Sequence, residues 1–402
     1  MSGFYSNGEN FDRIFITDHQ IVENFIGTRA FAFGYNALGV LGDNSTTSRL
    51  SPVDLSGVGN NWRQLAAGSA ISAGVKMDGT LWTWGSATYG ALGNGSSTAS
   101  RSSPATTTLA GTDWKEVAVA NFSTGISTGR FCAAIKLDGS LYTWGFNGSG
   151  QLGSGNSTNR SSPVSVTTIS NWLHVACGAD HALAVTANGQ IFSWGSNAVG
   201  QLGNGSTTLR TSPGTIAGNS FDWIKVAAGG SNSAGIKNDG GLWIWGINTL
   251  GVLGDSSTLN KSSPVSVAGG GSTWEKVSIS SSSSHCVATK TDGTLWTWGS
   301  NSLGQLGNGT TTNSRSSPGT TLGGGTDWKD CSAGSDHSVA TKTNGTLWTW
   351  GGNAAGQLGD GATTASRSSP GTVQGGVYEW QKAVAGGAAT GGYTLGTALF
   401  IG

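Results

Sequence analysis

Three histidines at equivalent places in the chain are its first candidates for chemistry. His181, His285 and His337 each lie seven residues before an Asn-Gly or Asp-Gly pair. Imidazoles brought together from three such places could bind a metal ion or transfer protons. The other equivalent positions carry side chains that suit no metal, namely Ile71, Phe131, Asn232 and Ala388. We therefore predict no metal site here, and the sequence as a whole predicts no cofactor and no catalytic residue.

One cation precedes each Ser-Pro pair, which makes it the most regular charged feature of the sequence. These residues are Arg49, Arg101, Arg160, Arg210, Lys261, Arg315 and Arg367. On a shared rim they would form a positive ring that attracts an anionic surface glycan or a carboxylate-rich partner. Strict repetition equally fits a structural role, in which each side chain packs on a Trp and donates to loop carbonyls. We favour the structural role and keep the ring as a binding hypothesis.

One segment interrupts the regular pattern and is a separate candidate for binding. The extra residues of the longest unit fall between Ala120 and Arg130, and a smaller departure is the serine run at 280–284. Function in repeat proteins tends to reside in such irregular loops. Tolerance of insertions explains the same feature without any function. The predicted binding residues of this loop are Asn121, Phe122, Ile126 and Arg130.

The elements that position these residues follow from a repeat of about 51 residues. The stretch from Gly79 to Gly85, which reads Gly-Thr-Leu-Trp-Thr-Trp-Gly, recurs along the chain. Degenerate copies close at Gly34 and Gly402, so seven units fill this range. The intervening copies close at Gly145, Gly195, Gly246, Gly299 and Gly351.

Each unit is predicted to contain roughly four short strands, as a propeller blade does. Asp-Gly and Asn-Gly pairs between apolar runs predict a hairpin, and an upstream Trp marks another strand. Gly-x-Leu-Gly followed by Ser-Pro is interpreted as the connecting loop. No helical period is sustained after Gly34, so the fold class is predicted to be all-β.

These motifs resemble the repeats of the regulator of chromosome condensation family, which form seven-bladed β-propellers. The resemblance rests on residues 333–338, 344–351, 353 and 356–359, and it recurs in every unit from about Arg29 to Gly402. It implies a seven-bladed β-propeller in which the histidine belongs to the blade consensus and has a structural, hydrogen-bonding role. It implies little about function, because family members differ in their loops: some exchange nucleotides on a small GTPase, some inhibit β-lactamases and some are scaffolds.

The strand count leaves one terminal copy over. The strand that ends in Gly occurs eight times, and the upstream Trp strand occurs seven times. If residues 399–401 complete the last hairpin, residues 31–33 either start a partial extra blade or join the last blade as a clasp. We predict seven blades with the two ends of the propeller meeting.

Residues 1–28 differ in composition and are predicted to be an N-terminal extension of the propeller domain at residues 29–402. They resemble the short N-terminal heads of tailed-bacteriophage virion proteins. Such a head would dock to other virion proteins, and its apolar residues are Phe11, Ile14, Phe15, Ile16 and Phe25. An end cap of the propeller is the alternative. The segment has no secretory-signal pattern, and no apolar run of the chain is long enough to span a membrane.

Composition narrows the class of function. Lys plus Arg and Asp plus Glu number 21 each, and charged residues make up only 10% of the chain. A nucleic-acid-binding domain is usually more basic, and a cytosolic enzyme is usually more charged. The four cysteines have no metal or redox spacing and are predicted to be small buried residues. They are Cys132, Cys177, Cys286 and Cys331.

Together these features predict a non-enzymatic structural and binding protein. The favoured version is a bacteriophage virion component of a tail fibre, baseplate or capsid exterior, made in the host cytoplasm without a signal peptide. Its loops would recognise a host-surface glycan or protein. The alternative is a cytoplasmic interaction scaffold or protein inhibitor that binds a partner through one propeller face. A guanine-nucleotide exchange factor is less favoured. We predict no nucleic-acid partner and no membrane insertion.

Overall fold

Four kinds of strand recur along the chain, and three of the kinds are marked by their first or last residue. The computed structural model describes residues 28–55, 57–120, 130–166, 169–269, 271–282, 284–361, 365–374, 380–389 and 393–401. Strands that open with Trp are β3 (Trp62–Ala67), β7 (Trp114–Val119), β11 (Trp172–Cys177), β15 (Trp223–Gly229), β19 (Trp274–Ile279), β23 (Trp328–Ala333) and β27 (Trp380–Ala389). The strands that follow them are β4 (Ile71–Lys76), β8 (Phe131–Lys136), β12 (His181–Thr186), β16 (Asn232–Lys237), β20 (His285–Lys290), β24 (His337–Lys342) and β28 (Tyr393–Ile401).

The other two kinds are the third and fourth strands of each sheet. Strands that end in Gly are β1 (Thr28–Gly34), β5 (Leu81–Gly85), β9 (Leu141–Gly145), β13 (Ile191–Gly195), β17 (Leu242–Gly246), β21 (Leu295–Gly299) and β25 (Leu347–Gly351). Strands that open with a cation are β2 (Arg49–Asp54), β6 (Arg101–Thr106), β10 (Arg160–Ser165), β14 (Arg210–Thr215), β18 (Lys261–Ser266), β22 (Arg315–Thr320) and β26 (Arg367–Thr372). Two short 3₁₀ turns lie at Thr88–Gly90 and Thr249–Gly251. No helix among the described residues is long and apolar enough to cross a membrane.

These strands form antiparallel four-stranded sheets. Six sheets each use four consecutive strands, and we number them blades 1 to 6, from β3–β6 to β23–β26. A further sheet, the composite sheet, has the order β2, β1, β28, β27. The prediction of an all-β propeller with four-stranded blades is confirmed. The prediction of seven blades is corrected to six continuous blades and one composite sheet, because the last sheet is completed by strands from the other end of the propeller.

The Ser-Pro segment is part of a strand, so its interpretation as a connecting loop was wrong. In blade 1 the register pairs Thr83 with Ala105 and Gly85 with Arg101, with a bulge between the two pairs. Ser-Pro lies on the outer strand, which has only one neighbour in its sheet. Proline has no backbone N–H to donate to a neighbouring strand, so it is tolerated on this outer strand, which has a neighbour on one side only. Each blade therefore ends one strand later than the sequence unit predicted.

The strands that open with Trp lie innermost. Each contacts the corresponding strand of the next sheet, and the series returns from β27 to β3. A separate hydrophobic cluster fills each space between adjacent sheets. The largest fully buried side chains of these clusters are Trp rings, among them Trp84, Trp144 and Trp194. The core is therefore divided among the interfaces between sheets, which explains why both faces of a blade carry bulky residues.

Hydrogen bonds from buried side chains join each blade to the one before it. Trp245 Nε1 donates to Gln201 O at 3.0 Å, and Ser233 Oγ donates to the same oxygen at 2.8 Å. The equivalent Trp bond occurs in all six blades. Cys132 and Cys286 take the place of the serine and donate to Ala91 O and Val252 O. All four cysteines are free and buried, which confirms their prediction as small buried residues.

The composite sheet resolves the surplus terminal strand in favour of the clasp. Strand β28 pairs with both β27 and β1, so it is the second strand of its sheet. Residues 398–401 were predicted to be a copy of the strand that ends in Gly, and this prediction was wrong. Phe33, on β1, occupies that third position and packs on Gly359 of blade 6 as the Trp rings do elsewhere. Residues 1–27 of the predicted N-terminal extension lie outside the described residues, and Thr28 is the first residue of β1.

Candidate functional site

Two of the three equivalent histidines serve as hydrogen-bonding residues between blades, whereas both ring nitrogens of His337 are buried without a hydrogen-bond partner among the described atoms. His181 Nε2 lies 2.8 Å from Ser233 Oγ, and His285 Nε2 lies 3.0 Å from Ser338 Oγ. Because each serine hydroxyl donates its proton to a loop carbonyl, the imidazole must be the donor. Desolvation lowers the pKa of His181 to about 4, so the ring is neutral near pH 7. The predicted structural role is confirmed for these two histidines.

Most of the seven cations that precede the Ser-Pro pairs, which we call the rim cations, form hydrogen bonds or ion pairs within their own sheets. All seven open outer strands. Four of them donate to the carbonyl of the Thr five residues later: Arg101, Arg210, Arg315 and Arg367. Three form ion pairs with an Asp of the preceding loop: Arg49 with Asp43, Lys261 with Asp255 and Arg367 with Asp360. Arg160 is half-buried at the same position.

These contacts support one part of the structural role, in which the cations donate hydrogen bonds to carbonyls. The cations that pack on Trp rings are other residues. Lysines at the ends of second strands lie over the Trp rings, as Lys237 does at 4.8 Å from Trp223 and 5.2 Å from Trp243. Binding of an anionic partner by the rim stays a prediction. The residues predicted for virion docking, Phe11, Ile14, Phe15, Ile16 and Phe25, lie outside the described residues.

Arg130, the last residue of the irregular segment at 120–130, belongs to a cluster of side chains shared by blades 1 and 2. Of the segment's predicted binding residues, Asn121, Phe122 and Ile126 lie outside the described residues, and Arg130 is described. Arg130 Nη1 donates to Ser86 Oγ of blade 1 at 3.1 Å. Beside it, the ring centroids of Tyr89 and Phe146 are 4.9 Å apart. We call Tyr89, Arg130 and Phe146 the aromatic–arginine site. All three are half-buried.

Antiparallel pairing explains why these residues meet. The connection from the inner to the second strand and the connection from the third to the outer strand emerge at the same end of a blade. Arg130 follows the first connection of blade 2, and its carbonyl accepts the N–H of Phe146 at 2.8 Å. Tyr89 lies in the second connection of blade 1. The site therefore spans the junction between two blades, on the face that we call the upper face.

The aromatic–arginine site also departs from the pattern of the repeat. In other loops a buried Asn organises the turn, as Asn197 does by donating to Ser206 O and Thr208 O and accepting from Leu202 N. Ala87 stands at that position in the Tyr89 loop. Tyr89 has a φ of 62°, a left-handed conformation that costs a bulky residue energy. Leu250 has the same conformation at the equivalent position of blade 4, with a φ of 65°, so the side chains rather than the backbone distinguish this site.

The charge of Arg130 is incompletely compensated within the described residues. Desolvation lowers its pKa, while Tyr89 raises it, and a guanidinium stays cationic under either influence. Its Nε is buried and has no hydrogen-bond partner among the described atoms. The equivalent positions in other blades carry small or acidic residues: Ala70, Asp180, Ser231, Ser284 and Asp336. A half-buried cation beside two aromatic rings suits recognition of a partner's acidic or aromatic side chain.

Sequence reasoning found Arg130 but missed Tyr89 and Phe146. Both could have been found by comparing equivalent positions across the units. The residue after the closing Gly is Ser86, Ser196 or Ser300 in three other blades, and Phe146 replaces it in blade 2. The contact between Tyr89 and Phe146 could not be read in this way, because they belong to different blades.

Comparison with known proteins identifies the repeat. The sequence model described as the regulator of chromosome condensation (RCC1) repeat matches residues 78–126, 138–185, 188–236, 239–289, 292–341 and 344–391. Each match begins at the hairpin of one sheet and ends in the next sheet. Six matches therefore bridge the sheets in succession, and each covers an interface between sheets.

Several characterised proteins share this repeat. The chain is 30% identical to the ultraviolet-B receptor UVR8 of Arabidopsis thaliana over 73% of its length, and the alignment spans 65% of that receptor. It is 28% identical to the human E3 ubiquitin-protein ligase HERC2 over 70% of its length, but only 6% of HERC2 is covered. The chain therefore spans less than two thirds of these relatives.

Solved structures agree on the fold. Yeast RCC1 (Prp20), in its complex with Kap60, superposes with a TM-score of 0.76 over 99% of this chain and 97% of that chain, at 17% identity. Human WBSCR16 gives a TM-score of 0.75 over 92% of this chain and 98% of that chain, at 20% identity.

Proposed function

The chain belongs to the regulator of chromosome condensation repeat family, and on this basis we propose that it is a non-enzymatic binding protein. Its partner is a protein that docks on the upper face at the aromatic–arginine site. The observation that carries the proposal is the junction of blades 1 and 2, where Arg130, Tyr89 and Phe146 replace the regular residues of the repeat.

The chemistry of this site defines the contact it would make. An acidic side chain of the partner would pair with Arg130, and an apolar or aromatic side chain would pack on the two rings. Aromatic and arginine residues dominate the binding energy of protein interfaces when they are held in place. The Ser86 bond and the short distance between the rings hold these side chains before binding, which lowers the entropy lost on association.

Relatives give this proposal general support. Yeast Prp20 has been solved bound to Kap60, and a second structure of Prp20 is accompanied by its binding properties to Gsp1p and histones. At 17% and 19% identity these structures speak for the fold alone, so no named partner is transferred. The ligase activity in the name of HERC2 is not transferred either, because the alignment covers 6% of that protein.

The virion hypothesis has no support among the relatives. A virion location stays an untested prediction, as does the cytoplasmic alternative. Mass spectrometry of purified phage particles from the source culture tests it, since stoichiometric presence of the chain would support a virion role and absence would contradict it.

The protein-binding proposal is tested by variants that restore the regular repeat. Arg130→Ser, Phe146→Ser and Tyr89→Ser each introduce a residue that another blade carries at the equivalent position, so the fold should tolerate them. Quantitative affinity capture from an extract of the source organism should recover a partner with the unmodified chain. We expect Arg130→Ser to reduce recovery about tenfold or more.

The matched control is Leu303→Ser, which alters the position equivalent to Tyr89 in blade 5. It should leave recovery of the same partner unchanged. Equal recovery with all of these variants would contradict the use of the aromatic–arginine site.

A further inference from the structure

The inner strands place a dense set of charges around the axis of the ring. A bulge follows the opening Trp of each inner strand. The two residues after that Trp reach towards the next inner strand, as Arg63 does to Trp114 O and Gln64 to Val117 O. Nine of the fourteen residues at these places are charged, although charged residues make up 10% of the chain. This concentration is not a property of the surface in general.

Cations outnumber carboxylates in this set by six to three. Two of the carboxylates are engaged in joining neighbouring inner strands. Glu116 Oε2 lies 3.0 Å from His174 Nδ1, and Glu116 Oε1 accepts from Val175 N. Asp330 pairs with Lys276, and its second oxygen accepts from Ala383 N at 2.9 Å. The remaining positive charge is therefore largely uncompensated within the described inner strands.

The excess of cations over carboxylates is greatest in a cavity of about 310 Å³ between β19, β23, β27 and β3. Lys276, Lys329 and Lys382 line it, together with Asp330. The amides of Gln64 and Gln381 also lie in its wall. Lys329 Nζ donates to Gln381 Oε1. The cavity thus offers three ammonium groups and only one carboxylate.

Lys382 is the least compensated of these cations. Its side chain is exposed to the central channel of the propeller and forms no hydrogen bond or ion pair within the described part of the chain. Desolvation by the surrounding strands lowers its pKa, and the like charges of Lys276 and Lys329 lower it further, whereas Asp330 raises it. A bound anion would relieve the repulsion among the three lysines.

We propose that this cavity binds a small anion with two or more carboxylate or phosphate groups. Lys329 and Lys382 would pair with its charged groups. Lys276 would add its field while it remains paired with Asp330. The volume matches the lower end of the range for small-molecule sites, which is roughly 300 to 1,000 Å³. This site is separate from the aromatic–arginine site, so it can be present whether or not a protein docks on the upper face.

Isothermal titration calorimetry with citrate and with pyrophosphate tests the proposal and separates carboxylate from phosphate recognition. Saturable binding of either probe, weakening as sodium chloride is raised, is the expected result. We expect Lys382→Gln to weaken that binding about tenfold or more. Lys225→Gln is the matched control, because Lys225 has the same place on β15 but lies outside the cavity lining and donates to Glu275 O. It should change affinity by less than about twofold.

A second measurement needs no substitution. Chemical acetylation followed by mass spectrometry should show that the bound probe protects Lys382 more than Lys225. Absence of binding by both probes would overturn the proposal. Equal weakening by the two variants, or equal protection of the two lysines, would also overturn it, since either result would mean diffuse attraction by the central channel.

Discussion

At the scale of single residues, a glycine and an aromatic ring define each junction between sheets. The final Gly of Gly-x-Leu-Gly lies directly on the Trp of the next blade, where a Cβ added to Gly203 would be 2.5 Å from Trp245 Nε1. The same Trp donates to Gln201 O two residues earlier. Glycine is therefore required both for its positive φ, 67° at Gly203, and for the space it leaves. The Gly-x-Leu-Gly motif therefore packs one blade against the next.

We predict that Gly203→Ala destabilises the protein well beyond the cost of its backbone conformation. The matched control is Gly218→Ala, because Gly218 also has a positive φ, of 62°, but a Cβ added there would have no atom within 4 Å. The control should cost about 1 to 2 kcal/mol of unfolding free energy. Gly203→Ala should cost about 1 to 3 kcal/mol more, because Trp245 must shift. Equal losses in urea denaturation would contradict this account.

The buried histidines predict a pH dependence of stability. The pKa of His181 is about 4 in the folded chain, against an ordinary value of 6.5, so the unfolded chain binds the extra proton first. Stability should therefore fall as the pH decreases from about 7 to about 4, by up to about 3 kcal/mol from this residue.

His181→Asn checks this prediction, because Asn232 occupies the same place in blade 4. Urea denaturation at a series of pH values should give a shallower slope for the variant. Replacement of the partly exposed His174 in the same way is the comparison and should leave the contribution of His181 in place. An unchanged slope in His181→Asn would show that the ring is not the titrating group.

At the scale of elements, a lysine joins the inner strand to the hairpin in five of the blades. Its ammonium lies between two aromatic rings, one at the start of the inner strand and one on the third strand. Lys237 also pairs with Asp222 at 3.2 Å. In blade 3 the equivalent residue is Thr186, so the fold does not require the lysine everywhere. The lysine strengthens an existing hairpin.

We predict that Lys237→Thr costs about 1 to 2 kcal/mol of unfolding free energy, because the desolvated ammonium loses both rings. Asp222→Asn removes only the ion pair, which is partly exposed, and should cost about 1 kcal/mol or less. Thermal and urea denaturation of the two variants separate these contributions. A larger loss in Asp222→Asn would assign the stability to the ion pair.

At the scale of the whole molecule, closure depends on strands that are far apart in sequence. Thr28 pairs with Ile401, and Gly34 pairs with Leu395. The same β1 contributes Phe33, which is completely buried against blade 6. Pairing between such distant segments carries a large entropic cost of closing the chain. The composite sheet is therefore the place where the ring is expected to open first.

Phe33→Ala should test this expectation. We predict a loss of about 3 to 5 kcal/mol, as for other buried Phe residues, and faster hydrogen exchange in β27 and β3. Phe131→Ala is the control of equal burial within a continuous blade. It should destabilise blade 2 and its neighbours without selectively exposing β27. Identical exchange patterns in the two variants would show that the composite sheet is no weaker than the other junctions.

Features that depend on neighbouring residues could be predicted from the sequence alone. Asp-Gly and Asn-Gly turns, alternating apolar residues and the repeated Trp were enough to predict the hairpins, the four-stranded blade and the all-β class. The cysteines were also predicted to be buried. These features follow from local turn chemistry and side-chain periodicity, which a repeat displays several times over.

Tertiary contacts, by contrast, decided which strands pair to form each sheet. The folded chain moved Ser-Pro into the outer strand, ended each blade one strand later and placed β1 between β28 and β2. Folding also brought Tyr89 to Phe146 and gathered the lysines of three inner strands into one cavity. Sheet pairing and contacts between blades are interactions at long range, and a pattern of neighbouring residues specifies which face is apolar but not which distant partner covers it.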